Sequence, residues 1–146
     1  MSQKNLSIFS IPPNYFYAGI ILIFILHICF PAQATINAPF SLIGILLIFL
    51  GSYLIIKPFL VFKKNKTPMK IVQEAPYSWS RNPMYLGATV FLVGCAVCSG
   101  KTISFISPIL FFLIMNFMFI PYEEKIMTET FGDDFLKYKK RVRRWI

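Results

Sequence analysis

Acidic residues are scarce in this chain: six Asp and Glu stand against fifteen Lys and Arg among 146 residues. Only 14% of positions are charged while 56% are hydrophobic, including 16 Phe. That leaves too little polar surface to cover a soluble domain of this size. Histidine occurs once and cysteine three times. Cys95 and Cys98 have the spacing of a redox pair, but they lie in an apolar helix end without a nearby base or a second ligand pair. Cys29 sits in another apolar run, so packing is the expected role of all three and no metal site is expected. His27 lies near the outer end of the first apolar run, distant from the charged segments, and reads as a hydrogen-bonded packing residue. Alternating polarity is missing as well. Residues 42–56 are apolar at nearly every position, which excludes a β-barrel and leaves helices as the way to satisfy the backbone in lipid.

What is present is a series of apolar runs at residues 15–30, 40–56, 84–98 and 102–120. They predict an all-α, integral-membrane helical bundle of about four spans, one domain over residues 1–146 with a cytosolic C-terminal helical segment. Two runs are shorter than the roughly 20 residues of an upright crossing, so flanking residues such as 8–11 contribute or the bilayer adapts. The formal charge of +9 raises nucleic acid as a partner. The basic residues, however, interleave with apolar runs and bring no recognition motif, so anionic membrane lipids are expected instead.

Charge placement predicts orientation. Lys57, Lys63, Lys64, Lys66, Lys70 and Arg81 face Glu74 between the second and third runs, and the tail carries Lys125, Lys137, Lys139, Lys140, Arg141, Arg143 and Arg144. The first connection has no charge and the third only Lys101. The positive-inside rule then puts both termini and the middle segment in the cytoplasm. The first run has a competing reading, since Lys4, the apolar stretch and Ala32-Gln33-Ala34 also match a cleaved secretory signal. Pro12-Pro13 and the length before Ala34 suit an anchored helix.

Within the runs, Gly44 and Gly51 share nearly one helix face, as do Gly87 and Gly94, where another backbone can approach closely. Asn116 offers a polar contact inside an apolar run, and Ser107-Pro108 a bend. The segment 76–87 carries more chemistry. Tyr77, Trp79 and Tyr85 suit a headgroup boundary, and Pro83 suits the first turn of a helix. A hairpin of the last two runs brings Arg81 and Tyr85 to the same membrane face as Glu123 and Glu124, where ionisable groups are costly enough to mark a site.

The ordered set Pro76-Tyr77, Arg81-Asn82-Pro83-Met84-Tyr85-Leu86-Gly87, Glu123-Glu124, Phe131-Gly132, Tyr138 and Arg144-Trp145-Ile146 resembles the isoprenylcysteine carboxyl methyltransferase and phospholipid methyltransferase superfamily over residues 72–146. The resemblance implies a helical membrane core that binds S-adenosyl-L-methionine at the cytosolic face and takes a lipidic or small amphipathic acceptor from the bilayer. Arg81, Asn82, Tyr85 and Gly87 correspond to the first cofactor-binding segment, and Glu123 and Glu124 to the second. The tail through Trp145 corresponds to a closing portion. The family pattern often has histidine where this chain has Asn82, so no histidine-dependent chemistry is expected.

Residue chemistry agrees with that assignment. Arg81 suits the ligand carboxylate, and a glutamate suits the ribose diol or ammonium. Adjacent glutamates on a helix point about 100° apart, so one is expected toward the ligand, here taken as Glu124, and one toward a basic structural partner. Phe135, Tyr138, Val142 and Trp145 step as one helix face, which predicts a tail helix with Lys137, Lys140, Arg141 and Arg144 toward headgroups and water. The alternative function is a non-catalytic membrane scaffold that keeps the fold and binds anionic lipid or a partner.

Overall fold

The computed structural model describes residues 11–31, 36, 38–64, 71 and 74–146. The expectations for Lys4, residues 32–34, Lys66 and Lys70 lie outside them. The described elements are helical: α1 (Ile11–Cys29), α2 (Ala38–Lys64), α3 (Pro83–Cys98), a 3-10 turn (Thr102–Phe105), α4 (Ile106–Ile114), a π-turn (Met115–Phe119), α5 (Ile120–Phe131) and α6 (Asp133–Arg141).

Three stretches are long and apolar enough to cross a membrane: Pro12–Cys29, Pro39–Lys64 and Thr102–Phe131. The fourth expected span, α3, has only 16 residues, about 24 Å at the α-helical rise against a hydrocarbon core of about 30 Å. Length therefore supports three spans, and α3 enters as a shorter apolar helix beside them. Two other boundaries move. α2 continues past Ile56 to Lys64 because Lys57 and Pro58 do not interrupt it. The helix of the last apolar run does not stop at Ile120 but continues through Glu123 and Glu124 to Phe131.

Glycines set the contact between α2 and α3. A Cβ on Gly51 would lie 2.5 Å from the Phe91 amide nitrogen, and one on Gly94 would lie 2.7 Å from the Gly44 carbonyl oxygen. Only hydrogen atoms allow two backbones this close, and the pairing of Gly44 with Gly94 and of Gly51 with Gly87 makes the helices antiparallel. On the other side of α3, Ala88 and Leu92 join Ile23, Phe111 and Met115 in a core where α1, α3 and the last long helix meet. Ser107 is buried there and donates to the Gly19 carbonyl at 2.7 Å. This gives the serine a polar contact between α1 and the last long helix.

The end of the bundle remote from Glu123 is closed by Lys101. Its ammonium donates to the carbonyls of His27 and Phe30, each at 2.6 Å, satisfying carbonyls that the C-terminus of α1 leaves without intrahelical donors. The His27 side chain is exposed, so the predicted packing role falls to its carbonyl. Lys101→Met is expected to destabilise the protein by about 1 kcal/mol through loss of these bonds, read as a lower thermal midpoint in detergent with helical content preserved.

Candidate functional site

Opposite that end, three segments converge: the turn before α3, the start of α5, and the tail after α6. Asn82 precedes α3 and Pro83 opens it, as the sequence predicts. The Asn82 side chain does not cap the helix. Its amide donates to the Arg144 carbonyl at 3.2 Å instead. Ser80 is buried, donates to the same carbonyl at 3.2 Å and accepts from the Asn82 backbone N–H at 3.1 Å. The Arg81 amide donates to the Arg143 carbonyl at 3.0 Å. Three consecutive residues thus receive the tail along its backbone, fixing where the Arg144 side chain enters.

Glu124 is the electrostatic hub. Lys139 lies 2.7 Å from its Oε2, Arg144 Nη2 3.3 Å from the same oxygen, and Arg144 Nε 3.3 Å from Oε1. Arg81 Nη1 stands 3.1 Å from Oε1, and both side chains are 10% exposed. The last contact is a close approach of charges without hydrogen-bond alignment. Among the described residues, neither Nε nor Nη1 of Arg81 has a hydrogen-bond partner. Burial lowers the Arg81 pKa, and the Glu124 carboxylate opposes that shift. Three cations around one carboxylate leave local positive charge, and the buried N–H groups that lack acceptors suit an anionic ligand group.

Glu123 turns a different way. Its Oε1 accepts from the Tyr85 hydroxyl at 2.5 Å, joining α5 to the first turns of α3. The two glutamates separate as their helical spacing predicts, and it is Glu124, expected toward the ligand, that meets the basic partners. Gly87 stands apart from the charged cluster. A Cβ there would lie 2.7 Å from the Leu54 carbonyl carbon, so close approach of α2 already accounts for this glycine. The structure brings together Arg81, Asn82, Tyr85, Glu123 and Glu124, and it adds Ser80, Asn116, Lys139 and Arg144.

Asn116 and Arg144 were legible only in part. A lone amide in an apolar run is a signal for a polar partner, but nothing in the local sequence names Arg144 as that partner. The tail helix ends at Arg141, and Val142 is already extended. Phe135, Tyr138 and Val142 pack against Ile71, Met127 and Phe131, so the apolar face meets protein rather than lipid. The continuation of the helix to Trp145 is therefore corrected. Release of the helix after Arg141 lets Arg144 reach Glu124 instead of headgroups, while Lys137 and Lys140 stay exposed. Burial pushes the Tyr138 pKa up to about 12, against the pull of Arg81 and Arg141, and it raises that of Tyr77. Both phenols hold their protons at neutral pH, and Tyr138 donates to the Tyr77 carbonyl at 2.7 Å.

No group of three or more His, Cys, Asp or Glu residues suited to a metal ion occurs among the described residues. The arrangement instead offers a buried guanidinium, a carboxylate–phenol pair and an amide at the end of an apolar bundle.

Comparison with known proteins places this arrangement in context. The phospholipid methyltransferase family matches residues 39–134, a range that adds α2 to the resemblance read at residues 72–146 and stops short of most of α6. An uncharacterized protein of Haemophilus influenzae is 33% identical over 63 residues, covering 43% of this chain and 100% of that protein. The protein-S-isoprenylcysteine O-methyltransferase of Saccharomyces cerevisiae is 31% identical over 85 residues, 57% of this chain and 35% of that enzyme. Its counterpart in Schizosaccharomyces pombe is 31% identical over 83 residues, 55% and 34% of the respective chains. The chain thus spans about a third of the length of the yeast enzymes. No solved structure matches. The family range contains both glycine-packed helices, the Arg81–Tyr85 turn and the Glu123–Glu124 pair, and on that extent this chain belongs to the phospholipid methyltransferase family.

Proposed function

We propose that the chain transfers a methyl group from S-adenosyl-L-methionine to a small amphipathic or lipidic acceptor at the cytosolic membrane face. The observation that carries this reading is Arg81, nine-tenths buried with two nitrogens lacking hydrogen-bond partners among the described residues. A carboxylate is the planar anion a guanidinium receives best, and the methionyl end of the cofactor carries one. Arg81 would hold that carboxylate, and Glu123, oriented by Tyr85, would accept from the ammonium or the ribose diol. Asn82 and Ser80 hold the tail, and Glu124 keeps the surrounding basic groups in place. When bound, the cofactor supplies an electrophilic methyl on a sulfonium.

Little covalent participation is then required of the protein. Its side chains align an acceptor opposite the sulfur and exclude water from the approach. A carboxylate or thiolate acceptor requires no base, whereas an amine must lose a proton. The apolar surfaces around the cluster favour entry from the bilayer. In this topology α3 completes a fourth crossing by local thinning of the bilayer and snorkelling of its flanking residues. Both termini and the basic end of α2 lie in the cytoplasm, where Lys57, Lys63 and Lys64 meet anionic lipid. The yeast relatives are named for an isoprenylcysteine acceptor, which is one member of the proposed class.

A second reading, a non-catalytic scaffold, is favoured by one feature: Arg144 and Lys139 already engage both oxygens of Glu124. The test is calorimetric titration of the full chain in nanodiscs with S-adenosylhomocysteine. Binding supports the methyltransferase reading, and a folded protein that does not bind supports the scaffold. Deletion after Gly132 removes Lys139, Arg144 and the Tyr138 bond together. It is expected to lower affinity by about tenfold or more, as loss of several charge-assisted contacts in one network does.

A further inference from the structure

Asn116 lies in the π-turn Met115–Phe119, an amide inside an otherwise apolar stretch. Its Oδ1 accepts from Trp145 Nε1 at 3.0 Å and from Arg144 Nη1 at 3.4 Å, and its main-chain carbonyl accepts from the same Nη1 at 3.5 Å. Trp145 is held a second time by its ring, which packs on Phe112 with centroids 4.8 Å apart. A π-turn widens the helix locally and recurs at functional positions. Here it presents one amide to the two adjacent residues that end the tail's return path.

The consequence appears at Glu124. Held from behind by Asn116, Arg144 directs Nε to Oε1 and Nη2 to Oε2, each at 3.3 Å, and Lys139 joins Oε2 at 2.7 Å. The carboxylate is drawn toward the tail. Arg81 lies near enough for a charge contact at 3.1 Å, yet its Nε and Nη1 find no hydrogen-bond partner among the described residues. A buried guanidinium in that condition captures any carboxylate free to turn toward it. Glu124 already touches Nη1 with one oxygen, and Arg144, engaging both carboxylate oxygens, is what keeps it from forking across the guanidinium.

We propose that Asn116 is a positioning residue: by seating Arg144 on Glu124 it keeps that carboxylate from turning its one close contact with Arg81 into a hydrogen-bonded fork, leaving Arg81 N–H groups for the carboxylate end of a ligand. This rests on the cofactor reading above and assigns a role to a residue on the far side of Arg144 from the ligand. Loss of the amide frees Arg144, Glu124 swings into a fork with Arg81, and the incoming carboxylate must displace it.

The probe is S-adenosylhomocysteine, titrated into the full chain in nanodiscs, with helical content and thermal midpoint recorded for each variant. Asn116→Ala is expected to weaken binding about tenfold, the ordinary size of coupling within one contact network. Asn116→Asp keeps the Oδ1 acceptor and is expected to restore affinity. Adding Glu124→Gln to Asn116→Ala removes the competing charge and is expected to recover most of the loss, which repair of a packing defect would not do. Wild-type affinity in Asn116→Ala overturns the inference and leaves the cofactor reading standing. A loss that neither Asn116→Asp nor the added Glu124→Gln repairs also overturns it. Absence of binding by the folded wild type overturns the cofactor reading, and this inference with it.

Discussion

Arg81→Ala is expected to lower affinity for S-adenosylhomocysteine by about 100-fold or more, the scale on which removing one side of a buried, charge-assisted pair acts. The fold is expected to survive, because Glu124 retains Arg144 and Lys139 after the guanidinium is gone. This separation makes the variant informative: binding is lost while the carboxylate keeps its partners. Arg81→Lys is expected to recover only part of the affinity, since an ammonium supplies a point charge without the planar fork. Calorimetry on the three proteins in nanodiscs reads the difference. Equal affinity in all three would remove Arg81 from the site.

The largest effect on stability is expected at Gly51. A Cβ there would stand 2.5 Å from a backbone nitrogen of Phe91 and 2.7 Å from the Gly87 carbonyl oxygen. Neither atom can turn aside as a side chain could, so α2 and α3 must separate. Gly51→Ala is expected to cost about 3 kcal/mol, the upper end of ordinary overpacking, and Gly51→Leu to prevent stable assembly. Two other glycines serve as controls. A Cβ on Gly19 meets the flexible Leu92 side chain at 3.1 Å, and one on Gly132 meets nothing within 4 Å, although φ there is +53°. Gly19→Ala is therefore expected to cost about 1 kcal/mol or less, whereas Gly132→Ala meets no atom but carries backbone strain of about 1–3 kcal/mol. Thermal unfolding in a single detergent orders the series, and a midpoint for Gly51→Ala above that of Gly19→Ala would contradict the close backbone contact.

Those glycines also show what the chain makes legible before folding. A seven-residue spacing puts two glycines on one helix face whatever the tertiary structure, so both close-packed faces could be read directly. Helix starts were equally local: Pro83 opens α3, where its fixed φ and missing N–H fit the first turn without cost. The pairing of Arg81 and Tyr85 with Glu123 and Glu124 followed from the hairpin and the separation of adjacent side chains on α5. The partner of each glutamate did not, because it depends on where the tail returns. Helical periodicity carried the tail reading past Arg141 to Trp145, while the extended conformation at Val142 is set by contacts with residues more than sixty positions away, among them Ser80 and Asn82. The length of α3 was a different matter. Its apolar run was visible and short, and the structure keeps it short at 16 residues.

Methyl transfer itself tests the central claim most directly. The full-length chain in nanodiscs prepared with native membrane lipid extract is incubated with S-adenosyl-L-methionine labelled on the methyl group, and products are divided between lipid-soluble and aqueous fractions. The account predicts label in the lipid-soluble fraction with the wild type and background label with Arg81→Ala. Label confined to aqueous products would contradict the lipidic acceptor, and no transfer to either fraction by a folded protein that binds the cofactor would contradict catalysis.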